Sequence, residues 1–138
     1  MNRSTIAVAT SLLLSTVITI VQAQTTELTL DCTGKITADK KEYPVTNMSV
    51  AVNMTKKTVT GFSVVVANVT SVDDTTIFFE GEDHQLSGGD PLATFYVSGN
   101  INRITGVASV IITVYGNEEV GSSSSYFELH CAPTRRLF

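Results

Sequence analysis

The sequence predicts an all-β domain: a single antiparallel β-sandwich, with a small β-barrel as the alternative, of about seven to nine strands. Three observations predict it. Apolar and polar residues alternate with a period of two almost everywhere after residue 26, and no stretch longer than a turn repeats at the helical period. Val, Ile, Thr, Tyr and Phe fill the alternating runs, as side chains that suit a pleated, half-buried surface. Turn-forming groups separate the runs: Cys32-Thr-Gly-Lys35, Val72-Asp-Asp-Thr75, Ser87-Gly-Gly-Asp-Pro91, Asn102-Arg-Ile-Thr-Gly106 and Tyr115-Gly-Asn-Glu118. Parallel βαβ packing is disfavoured, because nothing in the chain can serve as a crossover helix.

Each strand follows from its own alternation. Glu27 to Cys32 puts Leu28, Leu30 and Cys32 on one face, and Met48 to Met54 does the same with Met48, Val50, Val52 and Met54. Thr55-Lys56-Lys57 reads as a hairpin turn, with Thr58 to Phe62 beginning the return and Val64 to Val72 a β-branched run. Thr75 to Glu80 turns Ile77 and Phe79 inward. Ala93 to Ile101 aligns Phe95, Val97, Gly99 and Ile101, and Val107 to Tyr115 aligns Ala108, Val110, Ile112 and Val114. Tyr126 to Cys131 closes the series with Phe127, Leu129 and Cys131 inward. The chain has no Trp, so its core rests on Val, Ile, Leu, Phe and Met.

The first 23 residues read as a secretory signal peptide. Arg3 is the only charge before an uncharged run of 16 residues, Ile6 to Val21, and Val21-Gln22-Ala23 places small residues at −3 and −1 of a cleavage site. That run is shorter than a spanning helix and carries five hydroxyl side chains, so no integral membrane span is expected after cleavage. Residues 24–138 then form one domain, since a chain of this length holds a single core. The expected location is secreted or periplasmic. There an even pair of cysteines reads as a disulfide, Cys32 to Cys131, joining the terminal segments. Both cysteines stand at the ends of their alternating runs. Two full-length antiparallel neighbours would hold them far apart, so the bond favours a sandwich over an up-and-down barrel. A membrane barrel fits poorly, because the aromatics are few and scattered rather than girdled.

Chemistry is sparse. The full chain carries −4 and its basic residues occur only as short pairs, which argues against nucleic-acid binding. Two histidines, His84 and His130, leave little from which to build a catalytic constellation, and no catalytic residue, metal site or cofactor is assigned. His130 adjoins Cys131, but consecutive strand residues diverge. Asp73-Asp74 reads as a turn rather than a paired acid and base. The densest polar cluster, Glu80, Glu82, Asp83 and His84 with Asp90 beyond, reads as a possible binding loop; it lacks the ligand spacing of known calcium loops. Asn47, Asn53 and Asn68 stand in glycosylation-acceptor triplets, and Gly121-Ser-Ser-Ser-Ser125 reads as a flexible loop.

Three segments carry a resemblance: Pro44-Val-Thr-Asn-Met48, Val72-Asp-Asp-Thr-Thr76 and Ser98-Gly-Asn-Ile-Asn-Arg-Ile-Thr-Gly106. The chain resembles small exported bacterial β-rich proteins of unknown function, most specifically in the hairpin segment Gly99-x-Ile-x-Arg-Ile-Thr-Gly106. In that segment Gly106 can take positive φ, and Ile101 and Ile104 can clasp the turn. The resemblance implies a bacterial, periplasmic or secreted setting and brings no activity with it. The expected function is therefore a non-catalytic β-domain binding a partner protein, a glycan or an envelope component through its loops, residues 80–92 and 115–125 above all. The alternative is a small secreted hydrolase or a calcium-dependent module using the acidic segment 80–90.

Overall fold

The computed structural model describes residues 27–87, 90–116 and 121–134. The expected signal peptide, residues 1–23, lies outside them. Eight strands occur among the described residues: β1 (Glu27–Ala38), β2 (Lys41–Asn53), β3 (Thr58–Thr60), β4 (Ala67–Val72), β5 (Thr76–Ser87), β6 (Asp90–Asn102), β7 (Val107–Gly116) and β8 (Ser122–Pro133). Every neighbour pair is antiparallel, and β8 returns to pair with β1. The strands thus close into one up-and-down barrel, the second of the two architectures the alternation allows, rather than separating into two facing sheets.

The interior is apolar. Leu30, Val50, Val52, Val59, Ile77, Phe79, Val97, Ile101, Val110, Phe127 and Leu129 are all buried, and all but Val59 belong to the inward faces read from the alternation. This polarity is the reverse of a membrane barrel, which presents its apolar band outward. Phe79 stacks on Phe62 with ring centroids 5.4 Å apart. Phe62 does not extend β3, and Val64 to Val66 do not begin β4; residues 61–66 form an irregular crossing in which Phe62 and Val65 turn inward while Val64 and Val66 stay exposed.

The disulfide corrects the geometric expectation drawn from the cysteines. Cys32 and Cys131 are bonded and lie directly opposite each other in the antiparallel β1–β8 ladder, with Cα atoms 4.0 Å apart. The bond fits a barrel because β1 does not end at Cys32. Thr33-Gly34-Lys35 is a bulge rather than a turn, and the strand runs on to Ala38. Cys32 therefore sits in mid-strand, where it meets a residue near the end of β8.

Other strands also outrun their apolar alternation. β2 begins at Lys41 rather than Met48, β5 continues to Ser87, and β8 begins at Ser122, so Ser122 to Ser125 are strand rather than flexible loop. Asp39 and Lys40 join β1 to β2, both at positive φ as a two-residue hairpin turn requires. On the outer face, Lys35 bridges Glu42 and Glu128 across three strands at 2.7 and 3.0 Å.

Candidate functional site

The acidic cluster lies on strands. Glu80, Glu82, Asp83 and His84 all belong to β5, which runs to Ser87, and β6 begins at Asp90. Strand alternation divides the cluster, with Glu80, Glu82 and His84 on the outer face and Asp83 on the opposite one. The Asp90 backbone pairs with Ser87, and its side chain lies outside the described residues. Glu80 accepts a hydrogen bond from the Tyr96 hydroxyl at 3.2 Å. No group of three or more metal-ligating side chains occurs among the described residues.

His84 places Nδ1 3.0 Å from the Thr94 hydroxyl and Nε2 3.1 Å from the Glu82 carboxylate. Hydroxyl, imidazole and carboxylate in series have the connectivity of a nucleophilic triad. Here they lie across two neighbouring strands, with His84 and Glu82 more than half exposed, and none of the three lines either concavity described below. The His84 N–H, which an oxyanion could use, instead donates to the Asp83 carboxylate at 2.8 Å.

The main concavity is elsewhere, at the end of the barrel where β1 begins and β8 finishes. Its volume is about 410 Å³. Leu30, Val52, Ile77, Ile101 and Cys131 form a buried floor, and Leu28, Met54 and Ile104 rise around it as exposed apolar residues. The turns between strands build the rim. Residues 103–105 connect β6 to β7, and the Asn102 carboxamide oxygen accepts from the N–H groups of Ile104 and Thr105. Gly106 follows at φ 73°, as the hairpin signature requires, and its carbonyl accepts from Cys131 N–H at 2.8 Å. Ile101 points into the floor, but Ile104 is 75% exposed and does not clasp the turn with it.

A second turn, 73–75, braces the first. Asp73 accepts from the N–H groups of Thr75 and Thr76, both at 2.7 Å, and from the Thr75 hydroxyl. Arg103 N–H donates to the Thr75 carbonyl and its guanidinium to the Asp73 carbonyl at 3.2 Å. Val72-Asp-Asp-Thr is thus a turn, and Arg103 ties it to the mouth.

The Thr75 and Thr76 amides hold the Asp73 carboxyl below its ordinary value of 3.8, since they bond the charged form. The carboxylate is more acidic in the fold than in the unfolded chain. Its contribution to stability is therefore complete above that ordinary value and is lost as pH falls through the native one. Asp73→Asn is expected to flatten the acid limb of a plot of melting temperature against pH, most visibly below pH 3.8. Parallel acid limbs for the two proteins would show that the turn does not respond to this charge.

The comparisons with known proteins return nothing. No protein-family model matches the chain, and neither a curated protein nor a solved structure matches it. No helix among the described residues is long and apolar enough to cross a membrane. The site must be read from its own geometry.

Sequence reasoning assigned Leu28, Met54 and Ile101 to inward faces without seeing that they meet. The available signal was apolar side chains persisting past strand ends and into turns, at Met54 and Ile104. On the outer wall, a shallower groove of about 350 Å³ runs past Phe78, Ile111 and Tyr126 over Ser98, Asn100 and Ser109.

Proposed function

We propose that this chain is an exported, non-catalytic binding domain that takes an apolar molecule, or the apolar end of an envelope component, into the mouth of its barrel. The observation that carries this reading is the 410 Å³ concavity with an apolar floor and an apolar rim. Ligand sites of roughly 300–1,000 Å³ favour barrel mouths, and an apolar wall with a few polar groups at its edge is their usual composition. Arg103, Asn102 and Thr105 supply that edge. A packed floor limits how deep a ligand can go. An eight-stranded barrel is just wide enough for its own side chains or one small ligand, and Phe62 and Phe79 already occupy the interior here. The ligand is therefore one that enters end-on and leaves its polar part at the rim. The disulfide and the signal-like leader support the exported setting.

The test is displacement of a polarity-sensitive apolar dye by straight-chain fatty acids from the oxidised protein. Saturable binding is expected, with one equivalent per barrel. Leu28→Lys and Met54→Lys place charge on partly exposed rim positions, so they should leave the melting temperature nearly unchanged while weakening binding by about tenfold or more. A folded wild-type protein that takes up neither dye nor fatty acid would overturn the reading.

A further inference from the structure

The barrel is incompletely laddered. β3 meets β2 only at Ala51, Val52 and Asn53, and β4 meets β5 only from Ile77 to Glu80. Above those levels the crossing 61–66 fills the space for one residue or two. Gly61 lies against the Ser49 carbonyl on β2, and Val66 and Ala67 lie against Gly81 on β5. Beyond them, among the described residues, Lys41 to Met48 of β2 and Glu82 to Ser87 of β5 have a strand partner on one side only. In a strand, alternate residues aim both N–H and C=O at the same edge, so each segment offers a row of backbone donors and acceptors, of which the His84 N–H is already held by the Asp83 carboxylate at 2.8 Å. Such rows template the addition of another strand.

The two edges are not equivalent. The β2 edge begins with Lys41 beside Lys40 in the turn and contains Pro44, which has no N–H to offer. Lysine and proline are the residues with which natural edges resist pairing. The β5 edge contains neither, although its pairing with β6 shifts register between Gln85 and Leu86. It carries Glu82 and Asp83, with Glu80 just below, and all three are exposed. Among the described residues no lysine or arginine is ion-paired with any of them; Glu82 meets His84 Nε2, Glu80 accepts from the Tyr96 hydroxyl and Asp83 accepts from the His84 N–H.

We propose that the free edge of β5, Glu82 to Ser87, takes up an extended, lysine- or arginine-bearing segment of a partner protein by strand addition. Backbone hydrogen bonds supply the affinity. The carboxylates supply the selectivity: a basic side chain opposite Glu82 shares its face of the sheet and one displaced by a residue meets Asp83. The β2 edge refuses the same segment, because Lys40 and Lys41 repel it and Pro44 interrupts the donors. This surface lies at the opposite end of the barrel from the mouth and is independent of whatever the mouth binds.

The probe is a short synthetic peptide of alternating lysine and valine, added to the oxidised protein and followed by amide hydrogen exchange and titration calorimetry. Binding should be saturable and should slow exchange at alternate amides within Glu82 to Ser87 while leaving Lys41 to Met48 unchanged. The double variant Glu82→Lys/Asp83→Lys, at exposed positions, should weaken it by about tenfold. N-methylation of the peptide's alternate amides should abolish it, and a glutamate–valine peptide should not bind. Leu28→Lys, at the mouth, should leave it unaltered. Saturating peptide without protection at Glu82 to Ser87 would overturn the proposal, as would equal affinity for the N-methylated peptide. Protection of that edge by concentration alone, with a dimer in light scattering, would assign it to a second copy of the chain instead.

Discussion

Replacing Cys32 and Cys131 together by alanine is expected to lower the melting temperature by roughly 15 °C or more, the loss of about 4–5 kcal/mol. The bond closes a loop with a sequence separation of 99, so reducing it returns to the unfolded chain most of the conformational freedom that the crosslink removes. Its position compounds the effect. β1 and β8 are the first and last strands, and their ladder is the seam that converts a curled sheet into a barrel. Both cysteines are also buried, so alanine leaves space where sulfur packed. Calorimetry on the oxidised protein, the reduced protein and the double variant checks the result. The reduced protein, which keeps both sulfurs, should melt between the oxidised protein and the double variant. A loss below about 1 kcal/mol would mean that the barrel closes through its hydrogen bonds and core alone, with the bond contributing little.

Gly34→Ala is expected to destabilise by about 3 kcal/mol or more, a drop of roughly 10 °C, through the same seam. Gly34 forms the bulge at φ 154°, where an L side chain is strained. A Cβ there would land on the Glu128 carbonyl oxygen and crowd the Leu129 Cα. Both are backbone atoms of the paired strand, so no rotamer change relieves the clash and β8 must move away. Gly121→Ala isolates the two contributions. Gly121 also has positive φ, 72°, but nothing lies within 4 Å of a Cβ built on it. That variant should cost only the backbone preference, about 1 kcal/mol. Equal losses for the two variants in chemical denaturation would show that strain, rather than the approach of β8, governs Gly34. The pairing also explains why Thr33-Gly-Lys35 looked like a turn: the glycine is required, but by a neighbouring backbone rather than by a reversal of the chain.

The candidate site was only partly legible. The polar cluster drew notice because five ionisable residues lie close together in the sequence, from Glu80 to Asp90. In the fold Glu82 and Asp83 face opposite ways, and the feature that distinguishes them is the strand edge they belong to, which among the described residues has no strand partner on its second side. The mouth is not legible in the sequence, because its parts are dispersed: Leu28 and Ile77 are the second residues of β1 and β5, Met54 follows β2 and Ile104 sits in a turn. Each is an ordinary apolar residue in its own segment.

By itself the sequence determined that the chain is all-β, which residues point inward in the apolar runs of β1, β2, β5, β6, β7 and β8, and that Cys32 bonds Cys131. It also placed reversals at 73–75 and 103–106. Those properties are local or combinatorial: a period of two reports which face is buried, and two cysteines allow one intramolecular bond. Tertiary structure alone decided that the sheet closes on itself, that β1 passes through Cys32 to Ala38, and that β2, β5 and β8 extend beyond the core into polar sequence. Strands pair through N–H and C=O groups that every residue but proline carries, so the choice of neighbour leaves little trace in the side chains. Alternation fades where burial stops, whereas the ladder continues as far as a neighbour lies opposite. The free edge of β5 and the apolar mouth are both products of that difference, and the mouth belongs to no one segment of the chain.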